Sequence, residues 1–120
     1  MLQIIPNLPG NVIAVTATGT ITAEDYESVL IPALEQAHKQ YGKIRILYRF
    51  DSTLGDYTAG ALWDDAKVGL KHLAHFEKIA LATDNRVFAS SLKALGFLMP
   101  GEVRVFALDE MTAATAWIIE

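Results

Sequence analysis

The sequence predicts an α/β domain: a mixed five-stranded sheet, opened by an antiparallel hairpin, continued by parallel βα units and covered by about four helices. Ile79-Ala80-Leu81-Ala82 is an unbroken apolar run, and Val103 to Leu108 is a second, interrupted only by Arg104. Runs without polar alternation need cover on both faces, which parallel strands between helices obtain. A helix-length segment separates the two, so 76–110 reads as strand, crossover helix, strand, with a right-handed crossover. The third observation is at the amino end, where Pro6 to Asn11, rich in Pro, Gly and Asn, punctuates two β-rich runs.

Those two runs, Leu2 to Ile5 and Val12 to Thr18, form the expected hairpin. Val12, Ala14 and Thr16 alternate with Ile13, Val15 and Ala17, and Gly19 is expected to end the second strand. Thr22 with Asp25 three residues later has the pattern of a capping box. From there Tyr26, Val29, Leu30, Ala33, Leu34, Ala37 and Tyr41 fall on one face of a helix closed by Gly42, with Pro32 predicting a kink. Lys43 to Phe50 is the next strand, with Ile44, Ile46 and Tyr48 opposite Arg45, Leu47 and Arg49, and Asp51 to Tyr57 reads as a loop.

A second helix is expected from Thr58 to about Leu73, weakened by Gly60 and Gly69. After the strand centred on Ile79 to Ala82, Asp84 is placed to cap a third helix from Asn85 to about Leu95, with Phe88, Ser91, Leu92 and Leu95 inward and Gly96 at its end. Phe97-Leu98-Met99 puts three large apolar residues where a connection should be polar. Asp109 is placed to cap the last helix, with Ala113, Ala116 and Trp117 as its inner stripe.

The chain's 120 residues fit one domain spanning 1–120, large enough for a core without disulfides or metals. There is no cysteine, so disulfides, thiolate catalysis and cysteine zinc sites are excluded. Ten basic against fourteen acidic side chains give a charge of −4 with the basic residues dispersed, which argues against a nucleic-acid track. The amino end lacks the features of a signal peptide and no run is long enough to span a membrane, so the expected location is cytoplasmic, with at most peripheral membrane contact.

Asp51, Asp84 and Asp109 each follow a predicted parallel strand and would share its carboxyl edge, where α/β sheets bind ligands. A magnesium site or a phosphoacceptor aspartate is one reading, helix capping the plainer one. His72 and His75 lie near a helix end, where the helix dipole explains them without a metal, and His38 reads as solvated. No nucleophile elbow or phosphate-cradling loop is present, so no catalytic residue, metal or cofactor is assigned.

The order ββαβαβαβα, the kinking Pro32 within Val29-Leu30-Ile31-Pro32-Ala33-Leu34, the strand Lys78 to Asp84 and the ending Ala113-Ala114-Thr115-Ala116-Trp117-Ile118 together resemble the SpoIIAA-like branch of the STAS superfamily. The resemblance covers essentially the whole chain. It implies a small mixed sheet with helices packed on it and, usually, no enzymatic activity. Anti-sigma-factor antagonists of this superfamily carry Asp-Ser-Ser-Gly at the start of the second helix, with one serine phosphorylated. Here the counterpart is Asp56-Tyr57-Thr58-Ala59-Gly60, with Thr58 the hydroxyl nearest the place, while Asp51-Ser52-Thr53 lies earlier. The branch also looks like lipid-binding CRAL-TRIO domains in architecture, which implies an apolar pocket or membrane association.

The leading expectation is therefore a non-enzymatic domain binding an apolar small molecule or lipid between its second and third helices. Leu62, Trp63, Ala66, Leu70, Phe88, Leu92, Leu95 and Phe97 would line the cleft, and Leu98 and Met99 would meet a membrane or partner. The alternative is a regulatory module that binds a protein partner and is switched by phosphorylation at Thr58 or Ser52; a magnesium enzyme using the three aspartates ranks third. A homodimer fits the apolar excess.

Overall fold

The computed structural model describes residues 2–57, 75–86, 89–90, 93 and 101–120, with the backbone alone for 52–57. Strands β1 (Leu2–Ile4), β2 (Val12–Ile21), β3 (Ile44–Tyr57), β4 (Phe76–Thr83) and β5 (Glu102–Phe106) form one sheet in the order β1-β2-β3-β4-β5. β1 pairs antiparallel with β2, and the other pairs are parallel. The mixed five-stranded sheet is thus as the sequence predicts. Of the four expected helices the first and last are described. The second, at 58–73, lies outside the described residues, and of the third Asn85, Arg86, Ala89, Ser90 and Lys93 are described, all but Asn85 helical.

The first helix begins as expected. Asp25 N–H donates to the Thr22 hydroxyl at 3.3 Å, and Thr22 N–H donates to the Asp25 carboxylate at 2.8 Å. Burial pushes the Asp25 carboxyl up, the bonds from the Thr22 N–H and hydroxyl pull it down, and the group lies below its ordinary range. Thr22→Ala is expected to lower stability by about 1 kcal/mol, read as a shifted urea midpoint with an unchanged slope. The Pro32 kink takes a particular form. α1 (Ala23–Asp25) opens into a π turn over Tyr26–Leu30, where Ile31 N–H reaches back five residues to the Tyr26 carbonyl, before α2 (Ile31–Tyr41) resumes. A proline ring at 32 collides with the carbonyl four residues earlier in a regular helix, and widening the preceding turn relieves this.

Two expectations about strand ends are corrected together. Gly19 does not end β2: with φ +63 it sits in a bulge, and β2 continues to Ile21. Ala17 faces Phe50, whereas Gly19 faces Gly55, so β3 loops out extra residues against β2 before pairing resumes at Thr20 with Asp56 and Ile21 with Tyr57. Asp51 to Tyr57 is therefore irregular strand rather than loop. A residue with a Cβ is strained at that positive φ, so glycine is what lets the ladder restart.

The sheet has two unlike faces. On one, Val15, Ala17, Ile44, Ile46, Tyr48, Ile79 and Leu81 pack with Tyr26, Leu30, Leu34 and Ala37 of the first helix, and the Tyr26 and Tyr48 hydroxyls lie 3.1 Å apart. Ala89 packs against this same cluster. On the other face Val12, Ala14, Leu47 and Ala80 meet α3 (Met111–Ile119) through Ala114, Trp117 and Ile118. The predicted stripe of Ala113, Ala116 and Trp117 is out of phase: Ala113 and Ala116 are exposed. Both stripes share the same three-and-four spacing in a helix with no charged residue, so the larger Ile118 gains more by burial.

The caps are likewise redistributed. Thr83 supplies the hydroxyl that accepts Asn85 N–H at 3.1 Å, while the Asp84 carboxylate reaches across to Leu108 N–H at 3.2 Å. Before α3 a 3-10 turn spans Leu108–Glu110, and the Glu110 carboxylate, not Asp109, accepts Ala107 N–H at 2.7 Å. Asp84 thus ties two chain segments together at the carboxyl edge of the sheet.

Candidate functional site

The carboxyl edge of β4 and β5 is concave. Thr83, Asp84, Asn85, Arg86, Ala89, Lys93, Val105, Phe106 and Ala107 line a cavity of about 230 Å³. β4 delivers Thr83, only 4% exposed, and the chain then turns into the third helix. Arg86, Ala89 and Lys93 fall at three- and seven-residue spacing on one face of that helix, which is why all three meet the cavity. β5 supplies Val105 and Phe106 as its apolar wall. The arrangement joins two exposed cations, one carboxylate already engaged by a backbone N–H, and an apolar wall.

The three aspartates do not gather into a metal site: among the described residues no group of three His, Cys, Asp or Glu side chains is placed to hold a metal ion. Of the other residues singled out in the sequence, Thr58, Leu62, Trp63, Ala66, Leu70, Phe88, Leu92, Leu95, Phe97, Leu98 and Met99 lie outside the described residues. Ser52 is described by its backbone, in the segment where β3 slips against β2. Among the described residues no helix is long and apolar enough to cross a membrane.

The sequence profile of the SpoIIAA-like family matches residues 12–119. The chain belongs to the SpoIIAA-like family. Among solved structures it is similar to an uncharacterized protein of the DUF3478 family with a SpoIIAA-like fold, from Shewanella loihica PV-4, at 28% identity and a TM-score of 0.71, over 98% of this chain and 92% of that one. No curated protein matches the sequence.

The opposite, amino-terminal edge of this SpoIIAA-like sheet carries a contact that sequence reasoning missed. The His38 and His75 rings stack, with centroids 3.7 Å apart and planes inclined by 17°. The Gly42 carbonyl lies 2.6 Å from His38 Nδ1, and since a carbonyl only accepts, that nitrogen donates. Burial lowers the His75 pKa below its ordinary 6.5, with the His38 and Lys43 charges acting in the same direction. A base with a depressed folded pKa binds its proton more readily when unfolded. Its contribution is therefore intact above the unfolded value and lost as pH falls through it toward the folded one. The urea midpoint of the protein is expected to drop between about pH 7 and pH 5, and His75→Gln to flatten that drop; equal slopes would show that the stacked pair is not its source.

Proposed function

We propose that this SpoIIAA-like domain is a non-enzymatic binding module for an apolar small molecule or lipid, able to associate peripherally with a membrane surface. The observation that carries the reading is the position of Ala89 against the sheet face that also receives the first helix. Consecutive parallel steps from β3 to β4 and from β4 to β5 require two crossovers, and right-handed ones pass over the same face as neighbours. Leu62, Trp63, Ala66 and Leu70 belong to the first of those connections, and Phe88, Leu92, Leu95 and Phe97 to the second. Neighbouring connections rich in aromatic and aliphatic side chains are the usual walls of an apolar site.

The direct test is native mass spectrometry of the purified protein, followed by denaturing extraction of whatever is released, which also reports subunit number. Trp63→Ala with Phe97→Ala is expected to weaken binding to an alkyl probe or to liposomes in a folded protein; unchanged binding would remove the reading. A second reading, a partner-binding module switched at Thr58 or Ser52, draws on the interrupted pairing of β3 around Ser52, where the backbone leaves its ladder. Phosphosite mapping after incubation with kinase-active lysate separates the two, because the apolar-ligand reading requires no modification.

A further inference from the structure

The cavity at the carboxyl edge of β4 and β5 is lined by two chemically distinct sets of residues. One is apolar: Ala89, Val105 and Phe106. The other is basic: Arg86 and Lys93, both exposed. Thr83 also lines the cavity, almost fully buried, its hydroxyl oxygen accepting Asn85 N–H. Asp84 is the acid among the described lining residues, and Leu108 N–H holds one of its oxygens. Two cations against one carboxylate leave a single net positive charge, matched to a monoanion rather than a dianion.

Size sharpens the assignment. At roughly 30 Å³ for each water-sized group, 230 Å³ takes about seven such groups, enough for a carboxylate and a few methylenes. A longer chain has to leave the cavity. Ala89, Val105 and Phe106 are the apolar lining residues against which the first methylenes of such a chain would lie.

We infer that this cavity holds the anionic head of a long-chain aliphatic carboxylate, with Arg86 and Lys93 pairing the head and Ala89, Val105 and Phe106 receiving the start of its alkyl chain. The inference rests on the apolar-ligand reading and adds its charged end. Neither cation is buried, so exchanging both for glutamine leaves packing intact.

The test compares dodecanoate, 1-dodecanol and acetate by isothermal titration on the wild-type chain, on Arg86→Gln/Lys93→Gln and on Asp84→Asn, with thermal midpoints as a folding control. Dodecanoate is expected to bind the wild type about ten-fold or more tighter than 1-dodecanol, since charge-assisted hydrogen bonds form only with the carboxylate. The double variant should erase that preference while leaving 1-dodecanol affinity within about two-fold, and Asp84→Asn should tighten dodecanoate by removing the like charge. Acetate should bind far more weakly, lacking the chain. Equal wild-type affinities for the two alkyl probes, or a preference untouched in the double variant, would overturn the head-group assignment and leave the apolar-ligand reading standing. If neither alkyl probe binds, the apolar-ligand reading fails and this inference falls with it.

Discussion

Trp117→Ala is expected to cost about 3–5 kcal/mol of folding stability, the range for losing a large aromatic side chain from a packed core. Three features place it there. Trp117 is 6% exposed, and its helix, with Ile5 and Leu8 beside it, covers the Val12, Ala14, Leu47 and Ala80 face of the sheet. Its ring has the Lys78 ammonium 4.8 Å and the Arg104 guanidinium 5.0 Å from the centroid, with the Phe106 ring tilted against it at 6.1 Å. Arg45 and Lys78 also donate to the Ile118 and Trp117 carbonyls at 2.8 and 3.2 Å, satisfying backbone acceptors that a helix end leaves open. Arg45 is fixed in turn by Glu77 at 2.8 Å, a bond that holds the Glu77 carboxyl below its ordinary range. Removing the indole therefore unseats the helix and leaves two cations without their aromatic partner. Equilibrium urea unfolding checks this, with Trp117→Phe as the milder companion. A loss below about 1 kcal/mol would show that the ring is not the anchor of that face.

What the sequence reveals and what it conceals divide along local and non-local physics. The Thr22–Asp25 cap is legible because both partners lie within one helical turn, and so is the alternation of Ile44, Ile46 and Tyr48 against Arg45, Leu47 and Arg49. The continuation of β3 through Tyr57 is not, because its partner, the part of β2 beyond Gly19, lies more than thirty residues away and is reached only through a bulge. Asp84 illustrates the same limit. Its position before a helix predicts a cap, yet its carboxylate is taken by Leu108 while Thr83 serves the helix start. In α3 the phase is hidden for another reason: with no charged residue from Met111 to Ile119, periodicity alone has no polar face to exclude.

The candidate site shows both sides. The spacing of Arg86, Ala89 and Lys93 is visible in the sequence, but their meaning depends on the placement of Val105 and Phe106 by the β4–β5 register. The stacking of His38 on His75 depends on the same kind of long-range meeting. Phe88 and Leu92, singled out from helical periodicity, directly precede the cavity residues Ala89 and Lys93 in sequence.

Gly101→Ala is expected to destabilise the protein by about 1–3 kcal/mol, although the change adds one methyl group. A Cβ at this position would lie 2.5 Å from the carbonyl oxygens of both Phe76 and Glu77, and 2.8 Å from the Glu77 carbonyl carbon. These are backbone atoms, so no rotamer change makes room. They also belong to the start of β4, where the register against β3 already slips between Ile44 facing Phe76 and Arg45 facing Lys78, and where Glu77 pairs with Arg45. To admit the methyl group, the first residues of β5 must move away from β4. The pairs Lys78 with Glu102 and Ile79 with Val103 are then the first to loosen. The expected signature is local: reduced hydrogen-exchange protection in β5, with β2 and β3 protected as before, alongside a lower urea midpoint. Uniform loss across all five strands would instead place the strain in the sheet as a whole. An unchanged midpoint would show that the carbonyls of Phe76 and Glu77 can withdraw, and that the close approach at Gly101 is not what fixes β5 against β4.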